Sequence, residues 1–312
     1  MNTTFLYVST VLIWGSTWYA IKMQLGVVAP EVSVAYRFAI AGTVLLAWCW
    51  VRAKPMRYSP FDHVWMAAQG FFLFCANYAI FYIATAYLTS GLVAVVFSTI
   101  VFWNILFSRL LFKTPVSSRV IAGTALGICG LAVVFWPDIA SLETSAHGSL
   151  GLGLCIIATI LASLGNITSG RNQKKGLPVL QTNAFGMAYG AIFTALYSFF
   201  GGLNFTWDPS PAYLGSLLYL AFFGSILAFG AYLTLLGRIG AGRAAYAAVL
   251  FPVVALTISV FLENYVFSPL AMIGVVLVLG GNILALTRSR ARPFLADPTD
   301  VQTSPVLLPK NK

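Results

Sequence analysis

Two tryptophans and a lysine on the first apolar segment have the types and the spacing needed to bind an organic molecule. Trp14, Trp18 and Lys22 are four residues apart, so they share one face of a helix. Tryptophan faces attract ammonium groups. Trp14 lies deep in the segment, where an interfacial aromatic belt does not account for it, and it is a candidate for a cavity wall or for core packing. Lys22 ends the segment, where we expect an interfacial anchor with its ammonium group over the Trp18 ring.

Further aromatic and polar side chains lie deep in other apolar segments. Tyr78, Tyr82 and Thr85 share a helix face, and Asn77 lies beside them. A phenol or an amide inside a membrane needs a partner and usually faces protein or water. Each such residue taken alone is better explained by a structural role. Several of them that converge would form the wall of a cavity for a small zwitterion or a flat molecule. The candidates for this cavity are Trp14, Trp18, Asn77, Tyr78, Tyr82, Ser98, Trp103, Asn166 and Tyr246.

Charged residues inside or beside apolar segments are candidates for a gate. Arg37 lies well inside a segment, where a charge is costly and by default functional. The preferred interpretation pairs Arg37 with Glu31 or Glu263 near the external surface; the alternative is that Arg37 attracts a substrate carboxylate at the external mouth. Lys22, Arg37 and Glu263 are therefore external charge or gate candidates. Pro252 removes a helical hydrogen bond and is a candidate hinge.

The composition identifies the environment that must position these residues. The chain has 312 residues, of which 59% are hydrophobic and 8% are charged, whereas soluble domains carry roughly 25% charged residues. Continuous apolar runs of membrane-spanning length exclude the alternating strands of a barrel. The prediction is an all-α membrane protein with ten spans near 3–22, 32–51, 64–87, 92–112, 120–136, 149–170, 181–200, 212–236, 244–262 and 270–287.

The distribution of the net charge of +10 predicts the topology. With a cytoplasmic N-terminus, 16 of the 18 Lys and Arg residues fall on one side of the membrane. This positive-inside pattern places both termini in the cytoplasm and argues against a nucleic-acid partner. The first segment lacks a basic region before it and is interpreted as a retained span rather than a signal peptide. Residues 291–312 are rich in proline and are expected to form a disordered cytoplasmic tail.

Internal repetition divides the chain into two halves. Shifted by 151 positions, the stretch 91–130 aligns with 242–281 without a gap, and Gly123 pairs with Gly274 and Gly130 with Gly281. Each half contains five predicted spans. Because five is odd, the second half must enter the membrane from the opposite side. Inverted repeats of this kind are typical of secondary transporters, in which the substrate binds near the midplane between the halves.

Several motifs resemble those of the EamA family in the drug/metabolite transporter superfamily. They are "WGSTWYAIK", "YRFAIAG", "ATAYLTSGLVAVV", "AAVLFPVVALTISVFLEN" and "GVVLVLGGNILAL". Within the family the chain most resembles the YddG-type amino acid exporters. The resemblance implies two inverted EamA repeats, 1–140 and 148–288, around a central cavity in the cytoplasmic membrane. It implies export of amino acids, possibly aromatic, or of related metabolites by alternating access. The halves differ at two equivalent positions of the repeat. Val101 and Phe112 of the first half correspond to Pro252 and Glu263 of the second half.

The sequence lacks the motifs that ATP hydrolysis, metal binding and catalysis require. No GxxxxGK[ST] loop is present, so neither ATP hydrolysis nor an ATPase subunit is implied. The histidines, His63 and His147, lie in predicted loops, and no carboxylate lies at mid-membrane, so we expect no metal site, cofactor, catalytic residue or proton relay. The prediction is a facilitator and not an enzyme. The alternatives are a drug or nucleotide-sugar carrier, a membrane-embedded enzyme and a structural subunit.

Overall fold

A computed structural model of the protein describes residues 2–112, 117–134, 136, 145–239, 246–266 and 268–286. Its regular elements over these ranges are helices, and they follow the ten predicted segments in order. The helices are α1 (Thr3–Lys22), α2 (Pro30–Val51), α3 (Pro60–Ala84), α4 (Ser90–Ser98 and Ile100–Phe112), α5 (Ser118–Val134), α6 (Ser145–Lys174), α7 (Val179–Phe200), α8 (Pro211–Tyr219, Leu220–Leu227 and Ala228–Ile239), α9 (Tyr246–Leu262) and α10 (Pro269–Leu286). The predicted disordered tail lies outside the described residues.

The composition of these helices fits a multi-pass membrane protein. Five are long and apolar enough to cross a membrane, and three shorter ones are also apolar. Large side chains such as Trp50, Phe200 and Phe261 are about four-fifths exposed, at 81%, 81% and 77%. A surface of this kind is stable against lipid, where only internally hydrogen-bonded helices and closed barrels can span. The all-α membrane fold is therefore supported, whereas the count of ten spans and the orientation of the termini stay predictions.

The third helix of each half begins with the same Ser-Pro sequence. Ser59 precedes Pro60 at the start of α3, and Ser210 precedes Pro211 at the start of α8. Each serine hydroxyl accepts a hydrogen bond from a backbone N–H of the first turn, which is the usual role of an N-cap. Proline suits the first helical position because its missing N–H would have no helical partner there. These two Ser-Pro pairs are 151 positions apart, the same shift that relates the glycine repeats.

A widened π-helical turn interrupts both of these helices. It covers Phe71–Ala76 in α3 and Leu220–Leu227 in α8. A shift of 150 positions places the first segment inside the second. Segments of π-helix are rare, and they occur often at functional sites because they change the direction of side chains and of backbone groups. Both segments supply groups to the central site described below.

Glycines hold the two halves together at close helix crossings. A Cβ atom added to Gly123 of α5 would lie 2.5 Å from the carbonyl oxygen of Gly281 in α10, and one added to Gly130 would lie 2.7 Å from that of Gly274. The two contacts are reciprocal, since the residue equivalent to Gly123 is Gly274 and the one equivalent to Gly130 is Gly281. Close backbone approach through small residues is the usual basis of helix association in membranes.

Other glycines also lie at close helix crossings. A Cβ on Gly15 of α1 would meet the Cβ of Val254 in α9 at 2.5 Å, and one on Gly70 of α3 would meet the carbonyl oxygen of Gly186 in α7 at 2.5 Å. Helices α2 and α7 also meet closely, at Gly42. The helices of one half therefore pack directly on those of the other.

The crossing of α5 and α10 predicts a position-specific stability loss. Gly123→Ala should destabilise the protein by about 1–3 kcal/mol, because the new methyl group overlaps a backbone oxygen that cannot move freely. Gly153→Ala in α6 is the matched control, since no atom lies within 4 Å of its added Cβ and alanine favours a helix by about 1 kcal/mol. Thermal unfolding in detergent should show a lower midpoint for the first variant only. Equal midpoints would contradict the described crossing.

Candidate functional site

A small cavity lies at the centre of the bundle, between helices of both halves. Its volume is about 40 Å3, and eight of its sixteen lining residues are aromatic. The lining consists of Trp14, Thr17, Trp18 and Ile21 of α1, Leu73, Asn77, Tyr78 and Phe81 of α3, Phe97 and Ile100 of α4, Ala162 and Asn166 of α6, Phe229 and Tyr232 of α8, and Ala248 and Phe251 of α9.

The cavity is too small to hold an amino acid. One water molecule needs roughly 10–15 Å3 by this kind of measure, so the cavity has room for about three. A molecule the size of an amino acid enters only if the aromatic rings or their helices move apart. In this structure the walls therefore lie too close together to admit such a molecule.

Trp14 connects the first helix to the second half of the chain. Its indole N–H donates a hydrogen bond of 3.1 Å to the carbonyl oxygen of Gly224, inside the π-helical turn of α8. Its ring lies 4.9 Å from those of Phe229 and Tyr232 and 5.4 Å from that of Phe251, measured between centroids. Tilted and edge-to-face contacts of this kind stabilise aromatic clusters. Trp14 is thus both a cavity wall and a contact between α1, α8 and α9.

Trp18, one turn further along α1, continues the aromatic wall. Its ring lies 5.2 Å from those of Phe81 and Phe97. Its buried indole N–H has no hydrogen-bond partner within the described part of the chain, and a buried donor without an acceptor costs free energy. The other polar side-chain groups of these lining residues include the hydroxyls of Thr17, Tyr78 and Tyr232 and the amides of Asn77 and Asn166. The wall therefore offers aromatic faces and a few neutral polar groups.

The structure brings five of the nine predicted cavity residues to the lining. They are Trp14, Trp18, Asn77, Tyr78 and Asn166. The hydroxyl of Ser98 accepts a hydrogen bond of 2.9 Å from Asn282 and joins α4 to α10. Trp103 stacks on Phe107, one turn away along α4. The side chain of Tyr246 lies outside the described residues.

The cavity phenylalanines were missed because nothing in the sequence separates them from phenylalanines that face lipid.

The structure corrects the preferred interpretation of Arg37, which has no carboxylate partner among the described residues. Its side chain is completely buried, and Nε donates a hydrogen bond of 2.9 Å to the hydroxyl of Ser225. Nη1 lies 3.4 Å from the Tyr82 hydroxyl, which in turn donates to Gln24 at 2.8 Å. The guanidinium carbon lies 4.5 Å from the centroid of the Tyr78 ring. Tyr82 is therefore a partner of Arg37 and not part of the cavity lining.

Glu263 pairs instead with Lys22, which also corrects the expected position of the lysine over Trp18. The Lys22 ammonium lies 2.7 Å from the carboxylate, whose side chain is 4% exposed. Glu263 also accepts hydrogen bonds from the backbone N–H and the hydroxyl of Ser90 and from the hydroxyl of Ser259. These contacts tie the ends of α1 and α9 to the first turn of α4.

The ionised form of Glu263 is favoured by this arrangement. Burial alone would raise the pKa of its carboxyl group, but the hydrogen bonds from Lys22, Ser259 and Ser90 outweigh burial and lower the pKa. A carboxyl group with a lowered pKa contributes stability above its ordinary pKa of about 4.3, and that contribution is lost only as the pH falls through the lowered value. The ion pair is therefore fully formed at neutral pH.

Comparison with known proteins identifies the family. The model of the EamA-like transporter family matches residues 2–136 and 149–287. The chain belongs to the EamA-like transporter family. The resemblance inferred from its motifs is thereby confirmed, and the two matched ranges correspond to the two halves described above. The family and the names of the relatives point to transporters rather than to enzymes.

The relatives are similar over almost the whole chain. The chain is 27% identical to the "Uncharacterized inner membrane transporter YedA" of Escherichia coli, over 92% of this chain and 93% of that protein. It is 24% identical to a "Probable amino-acid metabolite efflux pump" of Salmonella typhimurium, over 92% and 96%. It is 22% identical to "Protein PagO" of the same organism, over 92% and 93%.

One solved crystal structure supports the fold. Its chain superposes with a TM-score of 0.63 at 19% sequence identity, and the match covers 91% of this chain and 96% of that chain. At this identity the comparison extends to the fold alone.

The hydrogen bond of Trp14 predicts a difference between two tryptophan variants. Trp14→Phe keeps most of the aromatic contacts but leaves the Gly224 carbonyl without its side-chain donor, which should cost about 1 kcal/mol. Trp50→Phe is the control because Trp50 is 81% exposed on the outer surface of α2. The midpoint of thermal unfolding in detergent should fall for Trp14→Phe and stay unchanged for Trp50→Phe. Equal midpoints would show that the bond adds nothing.

Proposed function

We propose that the protein is a secondary transporter that exports amino acids, aromatic ones included, and related small metabolites across the cytoplasmic membrane. The observation that carries this proposal is the closed aromatic cavity, whose walls come from helices of both halves. Carriers with inverted repeats bind their substrates in such a position. The family match supports transport, and a relative named as a probable amino-acid metabolite efflux pump supports this substrate class.

The proposal includes ten membrane spans in two inverted repeats, 1–140 and 148–288, with both termini in the cytoplasm. The reciprocal contacts of Gly123 and Gly130 support the inversion, because two segments related by a twofold axis contact each other in this way. The equivalent π-helical turns of α3 and α8 support it further. The basic loops support the orientation, and a relative named as an inner membrane transporter supports the location.

The cavity wall suits a molecule with an ammonium group and an apolar or aromatic side chain. The faces of Trp14 and Trp18 attract a cation and stack on a ring. The free indole N–H of Trp18 and the amides of Asn77 and Asn166 supply a few hydrogen bonds. Because the lining contains no carboxylate or histidine among the described residues, we infer a facilitator that runs downhill without obligatory proton coupling.

Alternating access requires one end of the cavity to open while the other stays closed. The ion pair between Lys22 and Glu263 lies at the predicted external end and ties α1, α4 and α9 together, so it acts as the external gate. Pro252 lies within α9, next to the cavity residue Phe251 and on the same helix as the gate. Bending of α9 at this proline would separate Glu263 from Lys22 and move a cavity wall at the same time.

Counterflow in proteoliposomes tests the function. The purified chain should exchange radiolabelled phenylalanine or another amino acid, and the rate should not depend on a pH gradient. Trp18→Ala should lower the exchange of aromatic amino acids about tenfold, since a cation–π or stacking contact is worth about 1–2 kcal/mol in a desolvated site. Trp50→Ala, on the exposed surface, is the control. No exchange of any amino acid by the folded protein would refute the proposal.

The gate predicts that the cavity is reached more easily once the ion pair is broken. The four cysteines are first replaced by alanine, and a cysteine is placed at Ala162 in the lining. Adding Glu263→Gln should speed its reaction with a membrane-impermeant thiol reagent applied from the Lys22 side, because the neutral amide binds the ammonium group weakly. Ala184→Cys, buried in α7 outside the lining, is the control for general loosening. Equal acceleration at both sites would indicate unfolding rather than gating.

A further inference from the structure

Arg37 is a buried cation whose charge is not balanced by its surroundings. Its side chain is completely buried, and one guanidinium nitrogen, Nη2, makes no hydrogen bond to the residues that the structure describes. Lys22 pairs with Glu263, so one of the two carboxylates that the sequence offered to Arg37, Glu31 or Glu263, is already used. Hydroxyl groups and aromatic faces surround the rest of the guanidinium, and they leave its net charge in place.

A buried charge without a counter-charge at this position points to an anionic ligand as its partner. Buried charges are normally paired, because a charge removed from water is strongly disfavoured without a counter-charge. Charged residues inside membrane-spanning segments usually face a substrate pathway. Arg37 lies seven residues into α2, which is about 10 Å from the start of the helix. It therefore lies deeper than the pair of Lys22 and Glu263.

Only thin walls separate Arg37 from the cavity. The Tyr78 ring has its centroid 4.5 Å from the guanidinium carbon and also lines the cavity. Gly224 forms the second wall: a Cβ atom there would lie 3.1 Å from Nη2 and 2.9 Å from the methyl group of the lining residue Thr17. Since glycine has no side chain, Nη2 of Arg37 and the methyl group of Thr17 both border the small space beside Gly224. A rotation of Tyr78 would open Arg37 to the cavity.

Trp18, another lining residue, also carries an unsatisfied donor. Its buried indole N–H, on the cavity side of α1, has no acceptor among the residues that the structure describes. The cationic donor of Arg37 matches the chemistry of a carboxylate. Arg is well suited to this role because its planar guanidinium presents parallel N–H groups to the two carboxylate oxygens.

We propose that Arg37 binds the carboxylate of the transported molecule when Tyr78 rotates, so that the substrates are carboxylate-bearing and the corresponding amines are rejected. This assignment rests on the proposed transport function and specifies its substrate class. The ammonium group of an amino acid then lies against the aromatic wall, and its carboxylate lies toward the predicted external gate. The hydrogen bond from Tyr82 to Gln24 lies on that side of Arg37 and closes its pocket in the present state.

Counterflow with three related probes tests the assignment. Phenylalanine carries an ammonium group and a carboxylate, phenylalaninamide replaces the carboxylate by a neutral amide, and phenylethylamine lacks it. The unmodified protein should exchange phenylalanine at least tenfold faster than either of the other two. Equal exchange of all three would overturn the role of Arg37 and leave the transport function intact. No exchange of any amino acid would overturn both.

Variants of Arg37 separate recognition from structure. Arg37→Gln should lower phenylalanine exchange about tenfold or more and leave the slow exchange of the amide unchanged, so the preference for the carboxylate disappears. Arg37→Lys, which keeps the charge without the planar fork, should retain part of the preference. Arg52→Gln at the exposed end of the same helix is the matched control. A parallel loss of all three probes in both Arg37 variants would show that the residue only supports the fold.

An inorganic anion such as chloride shares this chemistry, and a further arm of the same experiment distinguishes it. If chloride were the bound group, replacing it by sulfate would change the rate of phenylalanine exchange. An unchanged rate in sulfate supports the substrate carboxylate. A rate that follows the chloride concentration would overturn the assignment.

Discussion

Close contact between glycines and backbone atoms is the constraint on which the rest of the structure depends. In a membrane, helices gain little from burying apolar side chains, so they associate where small residues allow the backbones to approach. The reciprocal crossing of α5 and α10 at Gly123 and Gly130 is such a contact, and α2 and α7 meet in the same manner at Gly42. Around the centre, large rings such as Trp14 and Phe251 fill the space between α1, α8 and α9. The cavity lies among these rings.

Polar groups in this centre are arranged by the irregular turns of α3 and α8. The π-helical turn of α8 places the Gly224 carbonyl against Trp14 and the Ser225 hydroxyl against Arg37. One short segment therefore serves both the aromatic wall and the buried cation. The proposed gate pairs Lys22, at the end of α1, with Glu263, which follows α9, and both helices also supply cavity walls. A change at the π-helical turn or at this ion pair therefore acts on helices that line the cavity.

Much of the fold and part of the site could be predicted from the sequence. Apolar runs locate the helices well because membrane-spanning length is a strong constraint, and the glycine repeats indicate the reciprocal crossing. Deep tryptophans and amides such as Trp14 and Asn166 can be recognised as cavity candidates because they are costly against lipid. The partner of Arg37 could not be predicted, since Glu263, Lys22 and Arg37 share one predicted side of the membrane and differ only in depth. The cavity side of phenylalanines such as Phe229 depends on helix rotation, which hydropathy does not record.

The central claim is that the transported molecule occupies the aromatic cavity between the two halves. The most direct test places a single cysteine at Ala248, in the cavity wall formed by α9, on a background without the native cysteines. Its rate of modification by a thiol reagent is then measured with and without an amino acid that the protein exchanges. The account predicts that a saturating concentration of this amino acid slows the reaction at Ala248→Cys severalfold and leaves a cysteine at the exposed Trp50 unaffected. An unchanged rate at Ala248→Cys would contradict it.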